Sequence, residues 1–368
     1  MGSLLIFILV LVSLIIVHEF GHFVIAKAFG IRVDEFGIFF PPKLFGWKKG
    51  ETTYTINALP FGGFVRIFGE SSDEEDPTII SDPRSFAKKS RWIQAAVLLA
   101  GILFNLIFAW LALSVGFMIG MQSFVDHKGV GVVQDAKPTI VNVLPNSPAE
   151  KAGLKPNDII TSIETGNAQL RAGANSIQAR DFIGAHPDES IVINVNRGNE
   201  HKNFLAKPVD GLAPGHKVIG IEMDDLGILK LSPPLALVQG AIFAKEMTVE
   251  TVKGLGGLVS SLVRGKANLQ GVAGPIGIAS IGSNAVKQGI TATIILTSLI
   301  SINLAIFNLL PVPGLDGGRL LFVIIEGIRG KPMSEKLMLR LTIAGFSLLI
   351  LLTLLTSYHD IVKLIYPM

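Results

Sequence analysis

Residues 3–28 read Ser3-LLIFILVLVSLIIV-His18-Glu19-Phe20-Gly21-His22-FVIAK-Ala28. Ser3 to Val17 carries no charge, and the apolar character resumes after His22. No basic segment precedes the run and no small-residue cleavage pattern ends it, which argues against a signal peptide. A membrane-spanning helix of about 20 residues fits better. On that helix His18 and His22, four residues apart, share a face. Two neutral imidazoles on one face suit zinc. Glu19 stands beside them, placed to take a proton from a water whose pKa the metal lowers. At 1.5 Å per residue, His18 sits roughly 22 Å along a helix begun at Ser3. That is inside the hydrocarbon layer or near its edge, where ionisable groups are costly and rarely accidental.

The rest of the chain agrees with a lipid environment. Of 368 residues 49% are apolar and only 17% charged, with a net charge of +3 and no cysteine. A soluble globular chain carries about 25% charged residues. The small net charge gives no support to a nucleic-acid partner, and the missing cysteines exclude disulfides and thiolate chemistry. Further uncharged runs predict spans over about 93–121, 290–312 and 341–366, four in all with the first at about 3–28. Lys27, Arg32, Lys43, Lys48, Lys49, Arg66, Arg84, Lys88, Lys89 and Arg91 lie between spans one and two. Arg319, Arg329, Lys331, Lys336 and Arg340 lie between spans three and four. The positive-inside rule puts both loops in the cytoplasm, and both termini and about Gln122–Gln288 outside.

The external segment is another kind of sequence. Thr139-Ile-Val-Asn-Val-Leu144 and Ile191-Val-Ile-Asn-Val-Asn196 read as strands, parted by turn signals at Pro145-Asn-Ser-Pro148, Lys155-Pro-Asn-Asp158 and Arg197-Gly-Asn199. A β-rich module over 126–210 is expected. Residues 211–289 then form a linker containing an amphipathic helix from Leu235 to Arg264, which lies on the membrane surface. The first membrane part is 1–121 and the second 290–368. Ser71-Ser-Asp-Glu-Glu-Asp76 reads as a solvated acidic loop. His127, His186, His201, His216 and His359 lack ligand spacing.

A catalytic zinc needs a third protein ligand and an open position. Glu326, Glu246 and Asp360 qualify by type. Asp316 is favoured, because Asn308-Leu-Leu-Pro311-Val-Pro313-Gly-Leu-Asp316-Gly-Gly318 breaks the third span near its inner end. Irregular backbone at membrane depth is tolerated where it lines a cavity. Spans one and three run in the same direction, so His18, His22 and Asp316 can share a depth.

With these two motifs in separate spans, the chain resembles the site-2 protease family of intramembrane zinc metalloproteases (M50), in particular the bacterial regulator of sigma-E protease type. The resemblance implies one Zn2+ per chain on His18, His22 and Asp316, with Glu19 as catalytic base. It implies substrate contacts at Asn303 and Asn308 in span three. It also implies contacts at Gly62, Gly63 and Phe64 of Pro60-Phe-Gly-Gly-Phe-Val65, in a membrane-associated β-hairpin over about 50–68 that holds substrate extended. Thr52–Ile56 and Phe61–Ile67 are its expected arms. Gly271-Val-Ala-Gly-Pro-Ile-Gly-Ile278 is similar to a family segment of structural character. Ala100-Gly-Ile-Leu-Phe-Asn105 keeps the asparagine of a family Gly-Pro-x-x-Asn pattern without its proline, and Asn105 is given no catalytic role. Asn146-Ser-Pro-Ala-Glu-Lys-Ala-Gly-Leu-Lys-Pro-Asn-Asp-Ile-Ile160 resembles a bacterial PDZ signature, with Asn157 at a position where glycine is usual. The expected fold is therefore an α-helical polytopic membrane protein of four spans, with a membrane-associated hairpin and a single inserted PDZ domain. The expected function is cleavage of single-pass transmembrane proteins, of the anti-sigma-factor or remnant-signal-peptide type, in a bacterial inner membrane. The active site would lie near the cytoplasmic side, and the external PDZ domain would contact the substrate or its new terminus. The competing class is a PDZ-bearing membrane adaptor with a structural metal.

Overall fold

The computed structural model describes residues 2–70, 82–171, 173–198, 200–213, 216–265, 273–331 and 333–365. The acidic segment Ser71–Asp76, and Gly271 and Val272 of the glycine-rich segment, lie outside them. In chain order the elements are α1 (Gly2–Ala28), β1 (Val33–Lys49), β2 (Thr52–Ile67), α2 (Arg91–Ile119), β3 (Met121–Phe124), β4 (Gln134–Val143), α3 (Pro148–Ala152), β5 (Ile159–Glu164), β6 (Gln169–Leu170), α4 (Ser176–Ala185) and β7 (Ile191–Arg197). There follow β8 (Glu200–Ala206), β9 (Val209–Ala213), β10 (His216–Val218), β11 (Ile221–Leu229), α5 (Pro233–Val263), α6 (Pro275–Gln288), α7 (Ile290–Leu309), α8 (Asp316–Arg329) and α9 (Glu335–Ile365). The chain divides into two compact units, Met1–Gly116 with Gly240–Met368, and Phe117–Gln239.

In the first unit α1, α2, α7 and α9 contain segments long and apolar enough to cross a membrane. Their lipid-type faces are open, with Leu5, Leu9, Leu103, Leu111, Leu354 and Leu355 all exposed. The buried faces mix apolar residues with polar ones: His18 and His22 on α1, Asn105 and Ser114 on α2, and Thr297, Ser298 and Ser301 on α7. Without a hydrophobic drive between spans, small residues and hydrogen bonds hold such helices together. Gly21 shows this at the α1–α2 crossing, where a Cβ would stand 2.6 Å from the Ala100 carbonyl oxygen. The third span ends at Leu309, earlier than the expected 312, because Leu310 turns extended before Pro311 and Pro313. α8 then packs Phe322 and Val323 inward.

The hairpin differs from expectation. Its first strand is β1, which precedes the range 50–68, and the chain turns at Gly50 with φ +64°. Thr53–Ile56 and Gly63–Arg66 do not pair with each other. They stand on either side of Glu35–Ile38, each paired with it, while Phe45–Lys49 pairs with Thr52–Ile56. Gly37, Pro41, Pro42 and Gly46 interrupt any period-2 pattern in β1 and hid the strand in the sequence.

The second unit is built on a sheet of order β3-β11-β4-β5-β7-β8, with β6 on β5. Ile140, Ile163, Ile191, Ile193, Val195 and Ile219 form its core with Ala149, Leu154, Ala179 and Ile183 of the connecting segments. Ser147 caps α3 by accepting from the Glu150 N–H, Pro148 opens that helix and Gly153 closes it at φ 94°. Asn157 adopts φ 70°, the left-handed backbone its position demands. Buried Asp158 takes the Arg197 guanidinium at 2.7 Å and the Lys155 N–H at 2.9 Å. The expected boundaries 126–210 were too narrow. β3 precedes them, and β11 lies between β3 and β4, so residues up to 229 belong to the sheet rather than to a linker. Asp224-Asp225 and Gly227 masked this strand in the sequence. Asp225 in fact faces α4, accepting from the Ser176 N–H and hydroxyl at 2.9 Å each.

Candidate metal centre

Three side chains meet where α1 runs beside the start of α8. His18 Nε2 lies 3.0 Å from Asp316 Oδ2, His22 Nε2 lies 3.3 Å from the same oxygen, and the two Nε2 atoms are 3.3 Å apart. Donors held about 2.0–2.1 Å from one tetrahedral ion stand about 3.3–3.4 Å from each other. The trio therefore has the spacing of three corners around a zinc. The chemistry of the donors agrees. His22 Nδ1 donates to the Val97 carbonyl at 2.8 Å, which leaves its Nε2 with a bare lone pair. Asp316 Oδ2 is buried and faces the two imidazole Nε2 atoms. Two imidazole nitrogens and a carboxylate oxygen converging at this spacing offer a cation three lone pairs, so the residues present fit the metal.

Local sequence explains how they come together. Asp316 opens α8 directly after the proline-broken end of α7. The turn is tight: a Cβ on Gly317 would lie 2.3 Å from the Leu309 and Leu310 carbonyl oxygens, and one on Gly318 would lie 2.3 Å from that of Val312. Any other residue would push Asp316 away from α1. On the opposite side, a Cβ on Gly101 of α2 would lie 2.4 Å from His22 Nε2. The histidines thus occupy a slot bounded by a glycine.

Glu19 lines the same cavity as the trio, a space of about 210 Å³ that also meets Phe64, Val65, Ile67, Glu70 and Arg319. Glu19 has no hydrogen-bond partner among the described residues, which leaves its carboxylate able to accept a proton. Gly63 brings the β2 backbone against α1, with Glu19 Cγ 3.4 Å from where its Cβ would be. Gly62 has φ +77° and turns instead toward Phe40. Glu70 and Arg319 form an ion pair at this cavity, a feature the sequence did not single out.

Other expected residues fall elsewhere. Asn303 lines a separate, largely apolar cavity of about 870 Å³ between α5, α6 and α7. Asn308, in the last turn of α7, is not among the residues lining the cavity that holds the trio. The competing ligands are outside the cluster. Glu326 takes the Arg91 guanidinium at 2.8 Å and the Met333 N–H. Asp360 accepts from the Gly274 and Gly277 N–H groups at 3.1 and 2.7 Å, so its carboxylate caps α6. Glu246 sits on α5. Asn105, passed over in the sequence, has its side-chain nitrogen 3.2 Å from His18 Nδ1.

Four apolar spans and a buried cluster of two histidines and one carboxylate define a polytopic membrane protein organised around a metal-type centre. The chain belongs to peptidase family M50, whose model matches residues 6–352. A Nostoc sp. protein named "putative zinc metalloprotease" is 39% identical over 91% of this chain and 89% of its own. The zinc metalloprotease RasP of Geobacillus kaustophilus is 30% identical, covering 98% of each chain. A Clostridium perfringens protein with the same name as the Nostoc one is 33% identical, over 95% of this chain and 96% of its own.

Proposed function

We propose that this protein is an intramembrane zinc endopeptidase of the site-2 protease type. His18, His22 and Asp316 hold one Zn2+, and Glu19 is the catalytic base. The observation that carries the reading is the trio at tetrahedral-edge spacing with an unengaged carboxylate in the same cavity. Bound zinc supplies Lewis acidity to a water and to the scissile carbonyl. Glu19 would serve as the base that takes a proton from the attacking water and returns it to the departing amine. Family membership and the zinc metalloprotease names of relatives support both the metal and the activity.

A helical substrate hides its carbonyls in its own hydrogen bonds, so it must be unwound before attack. The Gly63–Ile67 segment suits this task. One of its edges pairs with β1, and Phe64, Val65 and Ile67 border the cavity that Glu19 lines. A substrate added there as a strand recovers its backbone bonds. The substrates are single-pass transmembrane segments in a bacterial inner membrane, shortened beforehand as in regulated intramembrane proteolysis. Positive-inside charge supports cytoplasmic basic loops, a site near that face, and an external second unit. The second unit acts as a PDZ domain, supported by the Asn146–Ile160 pattern and its capped α3, and it screens substrates or holds their new terminus. Asn303 and Asn308 serve substrate from α7.

A closed structural site would need a fourth protein ligand, and among the described residues the cluster has three. That favours the enzyme over the adaptor. Co-expression with candidate single-pass substrates tests the proposal. Wild type should yield a cleaved fragment, and Glu19→Gln should abolish it, a fall of at least about 10²-fold, while zinc content stays unchanged. Near-wild-type cleavage by Glu19→Gln would refute the assignment.

A further inference from the structure

Both imidazoles turn Nε2 to the cluster, so each Nδ1 decides whether its ring can serve a metal. A ring that gives the Nε2 lone pair must carry its hydrogen on Nδ1, and something must accept that hydrogen. For His22 the acceptor is a backbone carbonyl, Val97 O at 2.8 Å, which can only accept. For His18 the hydrogen-bond neighbour at Nδ1 among the described residues is the Asn105 side-chain amide, at 3.2 Å. Asn105 is fully buried, and its Oδ1 has no hydrogen-bond partner among the described residues. The nitrogen and oxygen of an amide are nearly the same in shape, and which one faces a neighbour follows from the hydrogen-bond network. A metal on His18 Nε2 settles that network: Nδ1 carries the hydrogen, and only the amide oxygen can receive it. A half-turn about Cβ–Cγ brings the orphaned oxygen to His18.

We infer that Asn105 is the positioning residue for His18, its Oδ1 accepting from Nδ1–H and so holding the ring with Nε2 aimed at the metal. The inference rests on the zinc reading above. The surroundings hold the turn of α2 that carries Asn105. Ser301 of α7 donates to the Asn105 backbone carbonyl at 2.8 Å, tying this turn of α2 to α7. One turn earlier, Gly101 faces both imidazoles, a Cβ there falling 2.7 Å from His18 Cε1. The two histidines are therefore held differently. His22 leans on a main-chain group that no substitution removes, and His18 leans on a replaceable side chain. The asymmetry makes Asn105 the point at which metal affinity can be tuned without touching a ligand.

The test uses full-length protein in detergent and reads metal rather than turnover. Zinc affinity is measured by competition with graded chelator, and the Co2+-substituted protein by its visible d–d spectrum. Asn105→Asp keeps the shape and is an acceptor only. It should hold zinc at least as tightly as wild type, with a tetrahedral Co2+ spectrum. Asn105→Leu keeps the approximate volume but accepts nothing. It should bind zinc about 10–100-fold more weakly and shift the Co2+ bands. Asn105→Ala replaces it if the leucine variant does not fold, judged by melting of the metal-free forms. Wild-type affinity in the leucine or alanine variant overturns the inference, as does equal weakening by aspartate and leucine, which would mark a packing role. A wild type that binds no zinc under these conditions removes the metal reading itself, and the inference with it.

Discussion

The two units differ in the polar side chains they bury and in what covers their surfaces. In Phe117–Gln239 the interior is mainly aliphatic, with Ile163, Ile191 and Ile193 fully enclosed, and buried polar groups such as Ser147, Asp158 and Ser176 bind neighbouring backbone and side chains around it. In the helical unit leucines also cover the outside, and among its buried apolar side chains, such as Leu14, Leu98 and Ile302, sit histidine, asparagine, serine and threonine. Each arrangement suits its solvent. Water drives isoleucines together, whereas lipid offers no such drive and leaves close contact and hydrogen bonds to join helices. The difference also decides where chemistry can be housed. An aliphatic core has no room for a cation. An interior already lined with polar atoms can receive one wherever three lone pairs meet, as His18, His22 and Asp316 do.

The largest effect should come from removing one of those lone pairs. Asp316→Ala takes away the only carboxylate in the trio and leaves two imidazoles, too few for tight zinc. Metal analysis of the purified variant should fall from one zinc per chain toward none, and cleavage should vanish with it. Hydrogen exchange across 134–229 should stay as in wild type. If zinc content is unchanged, Asp316 is not a ligand.

How much of this was legible in the sequence follows from the same contrast. The uncharged run ending in His18 announces a span, because lipid demands a continuous apolar surface and a single histidine pair interrupts it visibly. Asp316 was legible through the prolines and glycines around it. What glycines do in contact was not: Gly21, Gly101 and Gly317 matter for what lies opposite them, and sequence spacing does not encode the opposing backbone. Asn105 was visible as the asparagine of a family pattern lacking its proline, but its place beside His18 Nδ1 was not, because spacing does not say which imidazole a residue of another span meets. β1 was lost behind Pro41 and Pro42, because a loosely paired sheet tolerates prolines that a central strand refuses. β11 was lost because Asp225, which reads as a strand breaker, accepts instead from Ser176 at the start of α4.

A cut into the aliphatic interior should reverse the pattern of the first experiment. Ile193 is fully buried in β7, between partners in β5 and β8. Ile193→Ala removes three carbons and leaves a cavity the sheet cannot close, a loss of about 2–5 kcal/mol. Exchange across 134–229 should accelerate in step, while the zinc content of the full chain holds. A loss of zinc in this variant would show that the two interiors are not independent.

The smallest effect isolates a single hydrogen bond. Ser147 Oγ accepts from the Glu150 N–H at 3.2 Å, and the Glu150 carboxylate in turn accepts from the Asn146 N–H. Gly220 packs so closely that a Cβ there would fall 2.3 Å from Ser147 Cβ. Ser147→Ala keeps that Cβ and its packing and deletes only the acceptor, leaving the Glu150 N–H without its cap. The expected cost is about 1 kcal/mol, or about fivefold in the local opening equilibrium, read as faster exchange at the first turn of α3. Zinc binding should not respond. In the helical unit a polar atom of the same kind, the Asn105 amide, is expected to shift metal affinity by more than a decade. Equal and small responses at both positions would mean that buried polar atoms in that unit serve packing alone, and the contrast between the two interiors would lose its functional side.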